Sequence, residues 1–253
     1  GDLRLMAGYV DKKGDCCSPD VLLGGVSQSF LAAFKKPADT AQFNRVTAYS
    51  DPYQFDGEQY DFIAELNYKF DWGTFTSTTS FDHFEFRSNF DSEQSALALT
   101  LFKDRQESDA FAQEFRLTST SDGDFNWMAG AFYYDNDFVR GSLDPNKAMF
   151  VLGADIGPAP QPGATGDKAM FRSSNDTRHW SVFAQGDWQL APRYVFSAGA
   201  RFIDETKAID ARSALQVAAL PSLASALTVP VPIVAERSTD GVAWNASLRF
   251  DAS

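Results

Sequence analysis

Along Tyr60–Phe70 every second residue is apolar or a tyrosine. Tyr60, Phe62, Ala64, Leu66, Tyr68 and Phe70 share one phase, and Asp61, Ile63, Glu65, Asn67 and Lys69 the other. Strand side chains point alternately to opposite faces, so this period of two predicts a strand with one apolar and one polar face. The alternation returns in Asp2–Val10, His179–Leu190, Tyr194–Lys207 and Gly241–Asp251. In the last of these Val242, Trp244, Ala246, Leu248 and Phe250 oppose Asn245, Ser247, Arg249 and Asp251. Thr74–Phe86, Ala110–Thr120 and Phe125–Phe138 are further predicted strands of less regular pattern. Phe125–Phe138 carries apolar or aromatic residues in both phases, which leaves its inward side open.

The connections alternate in length as well. Strand pairs meet at Asp71-Trp72-Gly73, Ser121-Asp122-Gly123-Asp124 and Ala191-Pro192, residues that favour turns through their φ angles and local hydrogen bonds. Between the pairs lie segments 11–59, 87–109, 139–177 and 211–239, rich in Gly, Pro, Ser and Asp. Short turns on one side with long loops on the other is the outer-membrane arrangement, turns periplasmic and loops extracellular. The expected fold class is therefore all-β: a transmembrane antiparallel up-and-down β-barrel segment of about eight strands. Aromatic residues gather at the three turns: Tyr68, Phe70, Trp72 and Phe75; Phe125 and Trp127; Trp188, Tyr194 and Phe196. Rings with an apolar body and a polar tip favour the headgroup level of a bilayer.

Composition changes this picture little. A hydrophobic share of 44% with mean hydropathy −0.28 reads as soluble only until one notes that half of each membrane strand avoids lipid. The 14% aromatic content, with 23 Phe, and the 17 Gly suit β-structure. A net charge of −12 speaks against a nucleic-acid partner, which needs a basic surface. One apolar run has spanning length, Val217–Ala235, but Pro221, Pro230 and Pro232 interrupt it, and lipid cannot replace the lost donors. The first residue is Gly, with no basic stretch and apolar core behind it, so an export signal is expected to lie outside these residues.

Candidate chemistry is sparse. His83 and His179 are the two histidines; His83 shares the phase of Phe81, and His179 that of Ser181, with no acid apparent along the strand to orient it. No Gly-rich phosphate loop or G-x-S-x-G elbow occurs, so neither an enzyme nor a cofactor is expected, and no catalytic or metal residue is assigned. The polar phases supply Asp61, Glu65, Lys69, Glu114, Arg116, Asp187, Arg201, Glu205, Lys207 and Arg249 as candidates for a lumen-facing wall. Asp91, Glu93, Asp104, Glu107 and Asp109 are read as acidic loop residues, solvated and facing lipopolysaccharide, or able to attract cations. The adjacent Cys16 and Cys17 can form a vicinal disulfide, pair outside the chain or remain free thiols. Leu220, Leu223, Leu227 and Ile233, in the apolar stretch of the 211–239 loop, are candidates for ligand or loop contact.

Several phrases resemble a known family. FAQEFRLTSTSDGDFNWMAGAFYY (Phe111–Tyr134), TFTSTTSF (Thr74–Phe81) and SVFAQGDWQLAPRYVFSAGARF (Ser181–Phe202) are similar, in order and spacing, to segments of TonB-dependent receptor barrels. The Cys16-Cys17 pair also sits where some of these receptors carry adjacent cysteines in an extracellular loop. The resemblance implies energy-coupled uptake of a scarce solute: a ferric siderophore, cobalamin, a saccharide or similar. It implies the Gram-negative outer membrane, with lipid, lipopolysaccharide, the solute, the rest of the receptor and, through the plug domain, the TonB complex as partners. The family's plug and TonB box have no counterpart here, and Phe250-Asp251-Ala252-Ser253 is unlike the family's terminal strand. All 253 residues are thus expected to form an internal part of a barrel of about 22 strands. The competing expectations are a complete eight-stranded barrel with a passive or structural role, and a soluble β-sandwich.

Overall fold

The computed structural model describes residues 1–15, 53–91, 100–120, 123–152, 167–216 and 232–250. They form β1 (Asp2–Gly14), β2 (Gln54–Lys69), β3 (Gly73–Asp91), β4 (Thr100–Ser119), β5 (Phe125–Ser142), β6 (Phe150–Leu152), β7 (Asp167–Ala191), β8 (Tyr194–Gln216) and β9 (Ile233–Phe250). Every pairing is antiparallel. The sheet runs β1-β2-β3-β4-β5-β7-β8-β9, with the short β6 bridging β4 and β7. At the turns Phe70 donates to the Gly73 carbonyl (2.7 Å), Thr120 to that of Trp72 (3.1 Å) and Gln189 to that of Asp124 (2.7 Å). No helix of the described residues is long and apolar enough to cross a membrane. The short 3₁₀ turn Pro145–Lys147 is capped by Asp144.

All eight predicted strands are present, and each runs further at its loop end than its apolar pattern. Segments 11–59, 87–109, 139–177 and 211–239, expected as loops, contribute ladder residues at both ends, from Gly14↔Phe55 to Ala211↔Ile233. Backbone pairing has no need of apolar alternation, so the pattern stops where the environment changes while the hydrogen-bonded ladder continues. Asp104, Glu107 and Asp109, read as loop acids, stand in β4.

Register joins the apolar phases into one face. Leu3 meets Leu66, Ala7 meets Phe62 and Phe62 meets Phe81. Phe81 meets Phe111, Tyr133 meets Trp180, Val182 meets Phe202 and Phe196 meets Leu248. This register settles β5: Trp127, Ala129, Ala131 and Tyr133 lie with the apolar set, and Asn126, Met128, Gly130 and Phe132 opposite.

The apolar band is tilted across the sheet. Its last ring on β2 is Tyr60, whose cross-strand row runs through His83, Asp109, Asp137 and Asp176 to Ala208 on β8. On β8 the band instead ends at Phe202, about six residues nearer the turns after five strand steps. Six residues at ~3.3 Å against five steps at ~4.8 Å give a tilt of roughly 40°, inside the range required to close a barrel. The band keeps its height: Tyr60 to Tyr68 and Phe202 to Tyr194 each span about eight residues, ~20 Å along the barrel axis after tilt, close to the ~25 Å apolar zone of membrane barrels once ring reach is added.

The sheet has almost no interior. Among the described residues the buried apolar side chains are Ala148, Met149, Val151 and Met170, near β6, while Leu3, Trp180, Val182, Trp244 and Leu248 are all more than 40% exposed. A soluble sandwich would bury one face against a second sheet; here that face is left for lipid.

Candidate functional site: the inner face of the wall

The face opposite the apolar band carries every charge expected to line the lumen from β2, β4, β7, β8 and β9. Arg4 stands across from Glu65, Glu65 and Glu114 flank Thr78, and Asp61 meets Asp82. Asn67, Thr76, Arg116, Gly130, Phe183 and Arg201 form one row. Lys69 ends β2, Asp187 pairs in register with Asn126 and Ser197, and Arg249 with Val195. Ile233 opens β9 and is 57% exposed; Cys16, Cys17, Leu220, Leu223 and Leu227 lie outside the described residues.

Arg201 is the best-anchored of these charges. Its guanidinium lies 5.9 Å from the Phe132 ring centre and 5.8 Å from that of Phe183. It also donates to Ser181 Oγ through Nε (3.1 Å) and an η-nitrogen (2.8 Å). Two aromatic faces hold a weakly hydrated planar cation well. Glycine at 130 makes this possible, because a Cβ there would come within 2.5 Å of both the Phe115 carbonyl and the Phe183 ring. Around this anchor opens a cleft of about 430 Å³, lined by Glu114, Arg116, Phe183, Gln185, Arg201 and Asn245.

Neither histidine is isolated, which corrects one expectation. Glu205 stands directly across from His179, with Nδ1 3.9 Å from its carboxylate, and Lys207 is 3.0 Å from the same residue. Reading one strand at a time hid this acid, since the turn at Ala191–Tyr194 folds β8 back on β7. Ser181 is only 1% exposed beneath Arg201, whereas a nucleophile must be reachable. His83, on the outer face above Phe81, bonds Asp109 at 2.7 Å.

Two features went unread in the sequence. Asp104, on the inner face, accepts from Arg140 Nε (2.9 Å) and an η-nitrogen (3.1 Å), and from Gln106 (2.8 Å). Within the lipid-facing band, Thr79 donates to Gln113 Oε1 (2.6 Å), and the Gln113 amide nitrogen donates to Ser77 Oγ (3.1 Å) and the Thr78 and Glu114 carbonyls. A side-chain amide survives in lipid because its donors are satisfied within the wall.

This fold is shared with known proteins. The profile of the family described as TonB dependent receptor-like, beta-barrel, matches residues 19–253. The chain belongs to that family. The barrels of TonB-dependent receptors are outer-membrane proteins of Gram-negative bacteria, and the family consists of receptors and transporters. Among solved structures, the siderophore receptor PiuA of Acinetobacter baumannii superposes with a TM-score of 0.59 at 13% identity, over 99% of this chain and 38% of that receptor. The ferric yersiniabactin uptake receptor FyuA of Yersinia pestis gives 0.56 at 12% identity, over 80% of this chain and 27% of its own. At such identities the likeness is one of fold, and this TonB-dependent receptor barrel chain spans well under half of either receptor. No curated protein sequence matches the chain significantly.

Proposed function

We propose that the chain is a wall segment of a receptor of about 22 strands in the Gram-negative outer membrane. On this reading it imports a scarce solute with energy delivered by the TonB complex through a plug domain. A ferric siderophore is the foremost candidate, because two solved receptors of similar fold are a siderophore receptor and a ferric yersiniabactin receptor. The observation that carries the reading is the ~40° tilt of a constant-height apolar band backed by a charged inner wall. β1 and β9 end the sheet path, each hydrogen-bonded to one neighbour, which favours further strands over closure of these eight. Lipid and lipopolysaccharide then meet the outer face. The inner charges, Asp61, Glu65, Lys69, Glu114, Arg116, Asp187, Arg201, Glu205 and Arg249, meet plug, water or solute.

The test is radioiron accumulation by cells that depend on the receptor containing this chain, with and without a functional TonB complex. Energised accumulation from at least one ferric chelate, lost with TonB, is the expected result. Equal accumulation without TonB would overturn the coupling.

A further inference from the structure

Beyond the apolar band the outer face sorts its charges by row. One cross-strand row joins Arg87 on β3 to Arg105 on β4, and Arg172 on β7 to Arg212 on β8. Between the two pairs it crosses β5 at Gly141, which lies directly across from Arg172 and one residue past the Gln106–Arg140 pair. Like charges directly opposite one another destabilise a ladder, yet this row sets two arginine pairs on either side of a residue with no side chain. Its ion pairs run to neighbouring carboxylates. Glu85 takes Arg87 and, at 2.9 Å, Arg105, and Asp210 takes Arg212 at 2.7 Å. Asp56, across from Arg87, lies 3.9 Å from Lys13. A guanidinium carries five N–H donors, so these pairs use only some of them, and the Arg87 and Arg212 side chains are about half exposed.

Height selects the occupant. Arg87 is six residues past Phe81 and Arg212 ten past Phe202, the last apolar rings on the outer face of their strands. At ~3.3 Å per residue and ~40° of tilt the row climbs from ~15 to ~25 Å above the band. A phospholipid headgroup layer adds only ~5–8 Å to the hydrocarbon, so ordinary headgroups end below the row. A lipid whose polar part is a long anionic saccharide reaches it, from the same lipid side that the band already faces. Glu107, Asp137 and Asp176 lie on this face two to four residues nearer the band and would repel a bare polyanion. A phosphorylated saccharide that brings its own divalent counterions avoids this repulsion, and its phosphates match the planar forks of the guanidiniums.

We infer that the row Arg87, Arg105, Arg172 and Arg212 is an interaction surface for lipopolysaccharide, holding phosphates of its saccharide as the magnesium salt. The assignment rests on the outer-membrane reading above and deepens it by naming the groups that hold the glycolipid. Solute, plug and TonB complex take no part, because the row points away from the lumen.

The test is equilibrium binding of fluorescently labelled rough lipopolysaccharide to the purified, full-length receptor containing this chain, in detergent with magnesium. The phosphorylated glycolipid is expected to bind roughly tenfold more tightly than the same material after dephosphorylation. Arg87→Gln with Arg105→Gln, and Arg172→Gln with Arg212→Gln, should each weaken it roughly 2- to 30-fold, the combined effect of two exposed charge contacts. EDTA in place of magnesium should weaken it as well. Heat-modifiable gel migration equal to that of the parent verifies that the variants are folded. Equal binding of the dephosphorylated glycolipid, binding unchanged in both folded double variants, or binding unchanged in EDTA overturns the assignment. Displacement by inorganic phosphate at equal phosphate concentration overturns it in favour of a free anion, and displacement by phosphatidylglycerol in favour of an ordinary headgroup. Each of these results leaves iron uptake standing. Failure of lipopolysaccharide to bind in any form removes it as a partner of the outer face, while TonB-dependent accumulation is still decided by its own assay.

Discussion

An arginine placed at successive positions of β2 measures where the membrane lies. Ala64 is midway between Tyr60 and Tyr68, the end rings of the band on this strand, and its row contains Leu5 and Thr79 on the outer face. Leu66 is two residues nearer the turns; at ~3.3 Å per residue and ~40° of tilt that is ~5 Å below the centre. A lipid-facing arginine costs ~2–4 kcal/mol at the midplane and ~0–1 near the interface. Ala64→Arg is therefore expected to cost ~2–4 kcal/mol, and Leu66→Arg about half as much when measured against Leu66→Ala, which removes the leucine's own share. Ile63→Arg, one residue along and on the opposite face between Met6 and Ser80, exchanges lipid for a polar wall and should cost ~1 kcal/mol or less. Denaturant midpoints of the receptor reconstituted in phospholipid vesicles give the ranking. If Ile63→Arg cost as much as Ala64→Arg, the faces would be reversed. If Leu66→Arg, measured against Leu66→Ala, cost more than Ala64→Arg, the band would be centred lower than its aromatic edges indicate.

Arg201→Ala should cost about 1–3 kcal/mol, because Ser181 stays buried without its donors; an unchanged thermal midpoint would refute the anchor. In the lipid-facing band, Thr79→Ala deprives Gln113 Oε1 of its partner and should cost ~1 kcal/mol, whereas Thr79→Ala combined with Gln113→Leu removes donor and acceptor together and should be nearly neutral in the same denaturant titration. Burial, with Asp176 directly across β7 and Asp135 beside it, raises the Asp137 carboxyl above its ordinary value. Ionised Asp137 thus opposes folding above that raised pKa, and the penalty disappears as pH falls below the ordinary carboxylate value. Asp137→Asn should accordingly raise the melting temperature near pH 7 and leave it unchanged below about pH 4; a gain equal at both pH values would point to a cause other than charge. The isolated 253-residue chain should fail to give a compact, SDS-resistant monomer, since two unpaired sheet edges in lipid leave backbone groups unsatisfied; such a monomer would favour the closed eight-stranded barrel.

Alternation along Tyr60–Phe70 and Gly241–Asp251, with Asp-Trp-Gly and Ala-Pro between strands, determined the strands, their faces and the side on which the turns lie. Those are local properties: a side chain's face is set by parity, and a turn by its own φ angles. Where the environment depends on a neighbour, one strand could not tell. Phe125–Phe138 is aromatic in both phases, and only pairing with Leu117 and Val182 on either side showed that Ala129 and Ala131 lie with the lipid set. Phe81 and Phe84 differ in parity, so the pattern breaks there, although the strand continues to Asp91: the rings have moved from the lipid side to the barrel mouth. Glu205 across from His179, and Asp104 held by Arg140 from 36 residues away, depend on register between strands. Register follows from the sum of many cross-strand pairs and the geometry of each turn rather than from any single residue. The tilt of the band belongs to the same class, because it is written in how eight strands are staggered and in none of them alone.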